Sequence, residues 1–168
     1  MQTTRGKATT PAEEFIESSR VFLREDYLPK LLYCIVAMKD EDLWWRPNEV
    51  SNSAGNLMLH LCGNVRQWIV SSIGGVEFKR NRDAEFAAKG PIPKSQLVDD
   101  LKQVLAEVDD VLAHIQSDRL LDRLKIQKFE TSKLQAVYHV VEHFSYHLGQ
   151  ILYIYKLRTG SDPHFYQL

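Results

Sequence analysis

Four stretches of the chain repeat apolar residues at helical spacing, and the glycine, proline and small polar residues between them mark where each stretch ends. In Thr10-Pro11-Ala12-Glu13 a capping hydroxyl precedes a proline at the first helical position and a glutamate three residues after the cap, which together predict a helix start. The apolar set Phe15, Phe22, Leu23, Leu31, Leu32, Ile35 and Val36 carries that helix over about 11–39. Pro29 removes one backbone donor and predicts a kink near residue 25. Residues 40–53 combine an acidic start with Pro47 and a cluster of Asn and Ser, the pattern of a short helical turn followed by a loop.

Ser53 caps a second predicted helix over about 54–73, which stops at Gly74-Gly75. Residues 76–92 then form a long polar connection, expected either to act as a lid or oligomer contact or to carry short helical turns. Leu97, Leu101, Val104, Leu105, Val108, Leu112 and Ile115 predict a third amphipathic helix over about 94–117. A linker with room for a short extended piece, DRLKIQKFE, leads to a second capping box at Ser132-Lys133-Leu134-Gln135. The fourth helix runs from there to about Arg158 and ends at Gly160. The expected fold class is all-α, most simply a four-helix bundle, an architecture that builds metal and cofactor sites from side chains on facing helices.

Length and charge narrow the kind of molecule. A chain of 168 residues with 44% hydrophobic content suits one domain, 1–168, with residues 1–10 as a flexible N-terminus. A net charge of −1 from 21 basic and 22 acidic residues gives no footprint for nucleic acid or an anionic membrane surface. The basic run Lys79-Arg80-Asn81-Arg82 reads as a solvated loop. Neither a signal-peptide core nor a membrane-length apolar stretch is present, so a soluble cytoplasmic protein is expected. Cys34 and Cys62 are too few for a disulfide framework and read as free thiols.

Candidate chemistry concentrates in HVVEHFSYHLGQ, residues 139–150. His143 and His147 share a helical stripe with Ala136, Val140, Ile151 and Ile154, so both point inward, whereas His139 lies on a more polar flank with Gln135, Glu142, Tyr146 and Gln150. One inward histidine is most simply a core residue satisfied by a single hydrogen bond. Two at i and i+4 can also converge on one ion, with nitrogens roughly 2.0–2.1 Å from it. A third ligand has to come from another element, and the second helix offers His60 in NLMLHLCGN. Beside it Ser53, Asn56, Asn64, Gln67 and Ser71 form a polar stripe, expected to orient the imidazoles, to hold a metal-bound water or simply to face solvent. His139, Glu142 and His143 also match the inverted zincin pattern His-x-x-Glu-His, but too little chain follows for the downstream acidic ligand of those proteases.

SNSAGNLMLHLCGNVRQWI together with HVVEHFSYHLGQI resembles the DinB-like, YfiT-like superfamily of metal-dependent helical bundles, over nearly the whole chain. The resemblance implies a bundle with a long crossover connection and a homodimer. It implies a divalent ion, zinc or nickel, held by His60, His143 and His147, with Gly149 permitting close helix approach and Gln150 supporting the ligands from behind. Relatives of this kind include enzymes that transfer bacillithiol, mycothiol or glutathione to electrophiles, which implies thiol S-transferase activity with a low-molecular-weight thiol as cosubstrate. Two other readings stay open: a noncatalytic metal-binding or stress-related interaction protein, with Trp44 and Trp45 marking either a partner surface or a core corner, and a metal-dependent hydrolase. No general base is evident from the sequence.

Overall fold

The computed structural model describes residues 9–165. The expected flexibility of residues 1–8 lies outside the described residues, while Thr9 and Thr10 are both tied to the Glu13 carboxylate. Thr10 caps α1 (Pro11–Val21) with the capping box read from the sequence. A π-helical segment, Phe22–Tyr27, joins α1 without a break to α2 (Leu28–Ala37). The irregularity anticipated at Pro29 thus takes the form of a π turn. Its wider i→i+5 pairing changes the phase of the helical stripe. Leu23, Leu31 and Ile35 stay in the core, whereas Phe22 and Val36, expected with them, lie on the exposed side.

The short α3 (Asp40–Leu43) opens the connection to α4 (Ala54–Val65), which Ser53 caps and a second π-helical segment, Arg66–Ser71, extends. After an irregular stretch comes α5 (Arg82–Ala87), then α6 (Lys94–Ala113), a single 3₁₀ turn at Ser117–Arg119, an antiparallel hairpin of β1 (Arg123–Ile126) and β2 (Phe129–Ser132), and α7 (Lys133–Thr159). The hairpin realises the extended piece expected in the linker. At about 1.5 Å per residue the 27 residues of α7 span roughly 40 Å. Gly160, at φ 67°, closes it in the left-handed conformation that a side chain would disfavour.

The α1–α2 rod packs against α6 and α7, and α4 packs against the same two helices. The α1–α2 rod and α4 therefore sit diagonally across the bundle, as do α6 and α7, while α4 and α6 are neighbours. The segment between α2 and α4 is a long crossover, as is the hairpin-bearing segment between α6 and α7. Arg158 on α7 pins the first crossover by bonding Asp42 at 2.7 Å while stacking over the Trp45 ring. Trp44 and Trp45 are partly buried against the core, the core-corner alternative for these residues. At the bundle centre Phe144, Leu31, Ile35, Met58, Leu61 and Leu101 are fully enclosed, each worth about 1.5–3 kcal/mol of apolar burial.

Candidate metal centre

α4 is buried on nearly every side, so His60, on its seventh residue, retains only 5% exposure. α7 presents His143 and His147 one turn apart toward it. The Nε2 atoms of His60 and His143 lie 3.1 Å apart, as do those of His147 and His143. All three ligand atoms fall within 4.8 Å of one another, a group that could hold a metal ion. Nitrogens about 2.1 Å from a common tetrahedral ion would be separated by roughly 3.4 Å, so small adjustments bring the trio to that spacing.

The groups behind the rings decide where their protons lie. His60 Nδ1–H donates to Glu85 Oε2 at 2.9 Å, since a carboxylate can only accept. Arg80 approaches the same Nδ1 at 3.0 Å, but its bonds go to the two Glu85 oxygens, both at 2.7 Å. His147 Nδ1–H donates to Gln150 Oε1 at 2.6 Å. His60 and His147 thus both turn Nε2 lone pairs toward the centre. His143 Nε2 can donate a proton to only one of them, and its Nδ1 is buried without a partner among the described residues. Lone pairs confront one another in any arrangement of these protons, whereas a divalent cation satisfies all three.

Burial, and secondarily the charges of the surrounding imidazoles, pushes His143 down to about 3. Burial also lowers His147, against the opposing bond to Gln150. Burial alone would raise the Glu85 carboxyl, but its bonds to Arg80 and His60 outweigh that and hold it below the ordinary carboxylate range. His143 and His147 are therefore kept in the neutral form that ligation requires.

α5 delivers Glu85, and the N-terminus of α4 holds α5 in place. Asn56 closes the cap with Ser53 through its Oδ1 and donates Nδ2 to the Glu85 and Ala88 carbonyls at 2.9 and 2.8 Å. Arg46 bridges the Asn56 side chain and the Phe86 carbonyl, both at 2.8 Å. Phe86 then packs on the His60 ring. Gly63 makes room beneath: a Cβ there would meet Glu85 Oε1 at 2.1 Å.

These contacts correct several expectations. Arg80 is not part of a solvated loop, because its side chain is only 6% exposed and locked on Glu85. The polar stripe on α4 does not itself orient His60. Instead Asn56 anchors α5, and Gln67 accepts from Arg80 and Gln127. Gly149 permits no close approach, since among the described residues a Cβ there would meet nothing within 4 Å. Gln150 does support His147. His139 stands outside the trio, its ring 4.2 Å from that of Trp68, and Glu142 is exposed, which removes the zincin arrangement.

The protein is thus a helical bundle with crossed connections in which three histidines that could hold a metal ion face inward from α4 and α7. Residues 12–165 match the family described as "Protein of unknown function (DUF1572)", and the chain belongs to that family. Two solved structures share its fold. A DinB-like protein from Bacillus cereus ATCC 10987 is 16% identical with a TM-score of 0.66, covering 92% of this chain and 97% of its own. A conserved protein from Enterococcus faecalis is 15% identical with a TM-score of 0.70, covering 86% and 97%. No curated protein matches the chain. No helix among the described residues is long and apolar enough to cross a membrane.

Proposed function

We propose that the protein is a divalent-metal-binding protein in which His60, His143 and His147 are the ligands and zinc or nickel the ion, and that it catalyses transfer of a low-molecular-weight thiol to a small electrophile. The observation that carries the metal reading is the convergence of three Nε2 atoms, two of them fixed as acceptors by Glu85 and Gln150. A bound divalent ion supplies Lewis-acid chemistry, lowering the pKa of a sulfur or oxygen ligand. Three neutral protein ligands favour an anionic partner such as a thiolate.

His139 lines the open side of the trio and is held in the neutral form by burial. In this reading a ring nitrogen of His139 accepts the thiol proton, the S–C bond forms, and the electron pair of the broken bond departs with the leaving group. Glu85 and Arg80 keep His60 aligned throughout. The homodimeric state and cytoplasmic location implied by the resemblance belong to the same reading.

The test is zinc-loaded protein assayed with cysteine, glutathione and bacillithiol against 1-chloro-2,4-dinitrobenzene. Turnover with at least one thiol is expected, falling about a hundredfold in His139→Gln with zinc affinity unchanged. Zero turnover across the thiols, with zinc bound, would leave a noncatalytic metal-binding protein.

A further inference from the structure

A cleft of about 680 Å³ opens beside the trio, between α4, α7 and the β1–β2 hairpin, with His60 and His143 in its wall. Its size is that of a small-molecule site. Asn64, one turn beyond His60 on α4, lines it. Asn64 is only 4% exposed, yet its Oδ1 is buried without a hydrogen-bond partner among the described residues. A buried acceptor left unpaired costs about 1–3 kcal/mol, so a group that completes the bond gains from it. Next to it the Trp68 ring lies tilted against His139 and, at 6.2 Å between centroids, against Phe129 of the hairpin. Phe129 remains 48% exposed. An apolar face is thus presented to the cleft and left partly uncovered.

The hairpin that supplies this face is held in a set position. Gln127 occupies its two-residue turn at φ 55°, a conformation that favours glycine. Its side chain bonds Gln67 Oε1 at 2.9 Å, the same oxygen that accepts from Arg80. Strain of this kind persists where surrounding contacts hold it, and here those contacts lead to the group behind His60. The charges at the cleft are Arg82 and Lys128 against the single carboxylate of Glu130, since Glu85 is neutralised by Arg80. A divalent ion on three neutral imidazoles would add to that positive balance.

We propose that this cleft is the substrate site, that it takes a small anion bearing a flat apolar body, and that Asn64 accepts a hydrogen bond from the ligand while Trp68 and Phe129 cover its ring. The proposal rests on the reading of the three histidines as metal ligands. The anionic head sits toward the trio, and the hairpin, through Phe129, selects for the ring. Asn64 and Phe129 are therefore specificity residues for the ligand and not for the metal.

The probes are benzohydroxamate, which has an ionisable chelating head, an N–H donor and a ring; acetohydroxamate, which lacks the ring; and benzamide, which keeps the ring without the anionic head. Calorimetry on zinc-loaded protein is expected to give at least tenfold tighter binding of benzohydroxamate than acetohydroxamate, and no measurable benzamide binding. Phe129→Ala, at a half-exposed position that should not disturb folding, is expected to reduce the preference to about twofold or less, with acetohydroxamate affinity retained. Asn64→Leu is expected to weaken both hydroxamates about five- to tenfold. Zinc affinity, read separately by chelator competition, is expected to stay within twofold of wild type in both variants. A chain that takes up no zinc would overturn the metal reading and this proposal with it. Zinc held normally, with no preference for the ring, with the preference intact in Phe129→Ala, or with Asn64→Leu binding like wild type, would overturn the proposal alone.

Discussion

Glu85 Oε2 accepts the Nδ1 proton of His60 at 2.9 Å, while both Glu85 oxygens are held by Arg80. A carboxylate behind a candidate ligand imidazole fixes its tautomer and raises the basicity of the opposite nitrogen. Arg80 in turn keeps that carboxylate ionised in a buried position. His60 is thus oriented by a segment distant in sequence from the helix that carries it.

Replacing Glu85 by Gln keeps the shape and removes the charge. Zinc affinity is expected to fall about 10- to 100-fold, measured by competition with a chromogenic chelator. The variant is also expected to be less stable, because Arg80 is left buried without its counter-ion. Zinc affinity equal to wild type would remove Glu85 from the site.

The two glycines flanking the site separate packing from backbone propensity. In Gly63→Ala the new methyl collides with the Glu85 carboxylate, so zinc affinity is expected to drop at least tenfold even though alanine favours the helix by about 1 kcal/mol. In Gly149→Ala the methyl meets nothing, so the protein is expected to gain up to about 1 kcal/mol with zinc affinity unchanged. Denaturant unfolding and chelator competition on the two variants check both halves.

Much of this arrangement was legible in the sequence, and what was not has a physical reason. The caps at Thr10, Ser53 and Ser132 are local: each hydroxyl accepts from a backbone amide three residues on, and the pattern is visible in four letters. His143 and His147 are also local, since their i, i+4 spacing alone puts them on one face. Glu85 and Arg80 reach His60 only because Asn56 and Arg46 bond the carbonyls of α5, a tertiary relation with no periodic signal. The polar character of Asn56 was apparent, but its partner 29 residues away was not. Gly63 and Gly149 look alike in sequence, and only the neighbouring helices decide which one needs the missing Cβ. Pro29 signalled an irregular turn, while the choice of a π turn depended on how the rod packs.

Acid should weaken the metal-free fold in a defined window. An unfolded histidine titrates near 6.5, whereas folded His143 stays neutral down to about 3 and His147 is lowered in the same direction. Between those limits the unfolded state binds more protons than the native one, so stability is full above about 6.5 and is lost progressively as pH falls toward 3. Urea unfolding in the presence of chelator at pH 7.5 and 4.5 measures this loss. His143→Gln is expected to make the difference between the two pH values smaller, and an unchanged difference would show that other groups carry it.

Zinc should stabilise the fold by mass action. At a hundredfold excess over Kd the gain is about 2.7 kcal/mol, or an increase in Tm of roughly 5–11 °C for a chain of this size. Differential scanning calorimetry of wild type and His147→Ala, with zinc and with chelator at pH 7.5, is expected to show that increase in wild type and little response in the variant.

The central claim is that His60, His143 and His147 hold one divalent ion between them. Anomalous diffraction above the zinc absorption edge, from crystals of protein carrying one equivalent of zinc, tests it most directly. The expected result is a single peak about 2.0–2.3 Å from the Nε2 atoms of all three histidines. A zinc peak bound by other side chains, with none among these three rings, would contradict it.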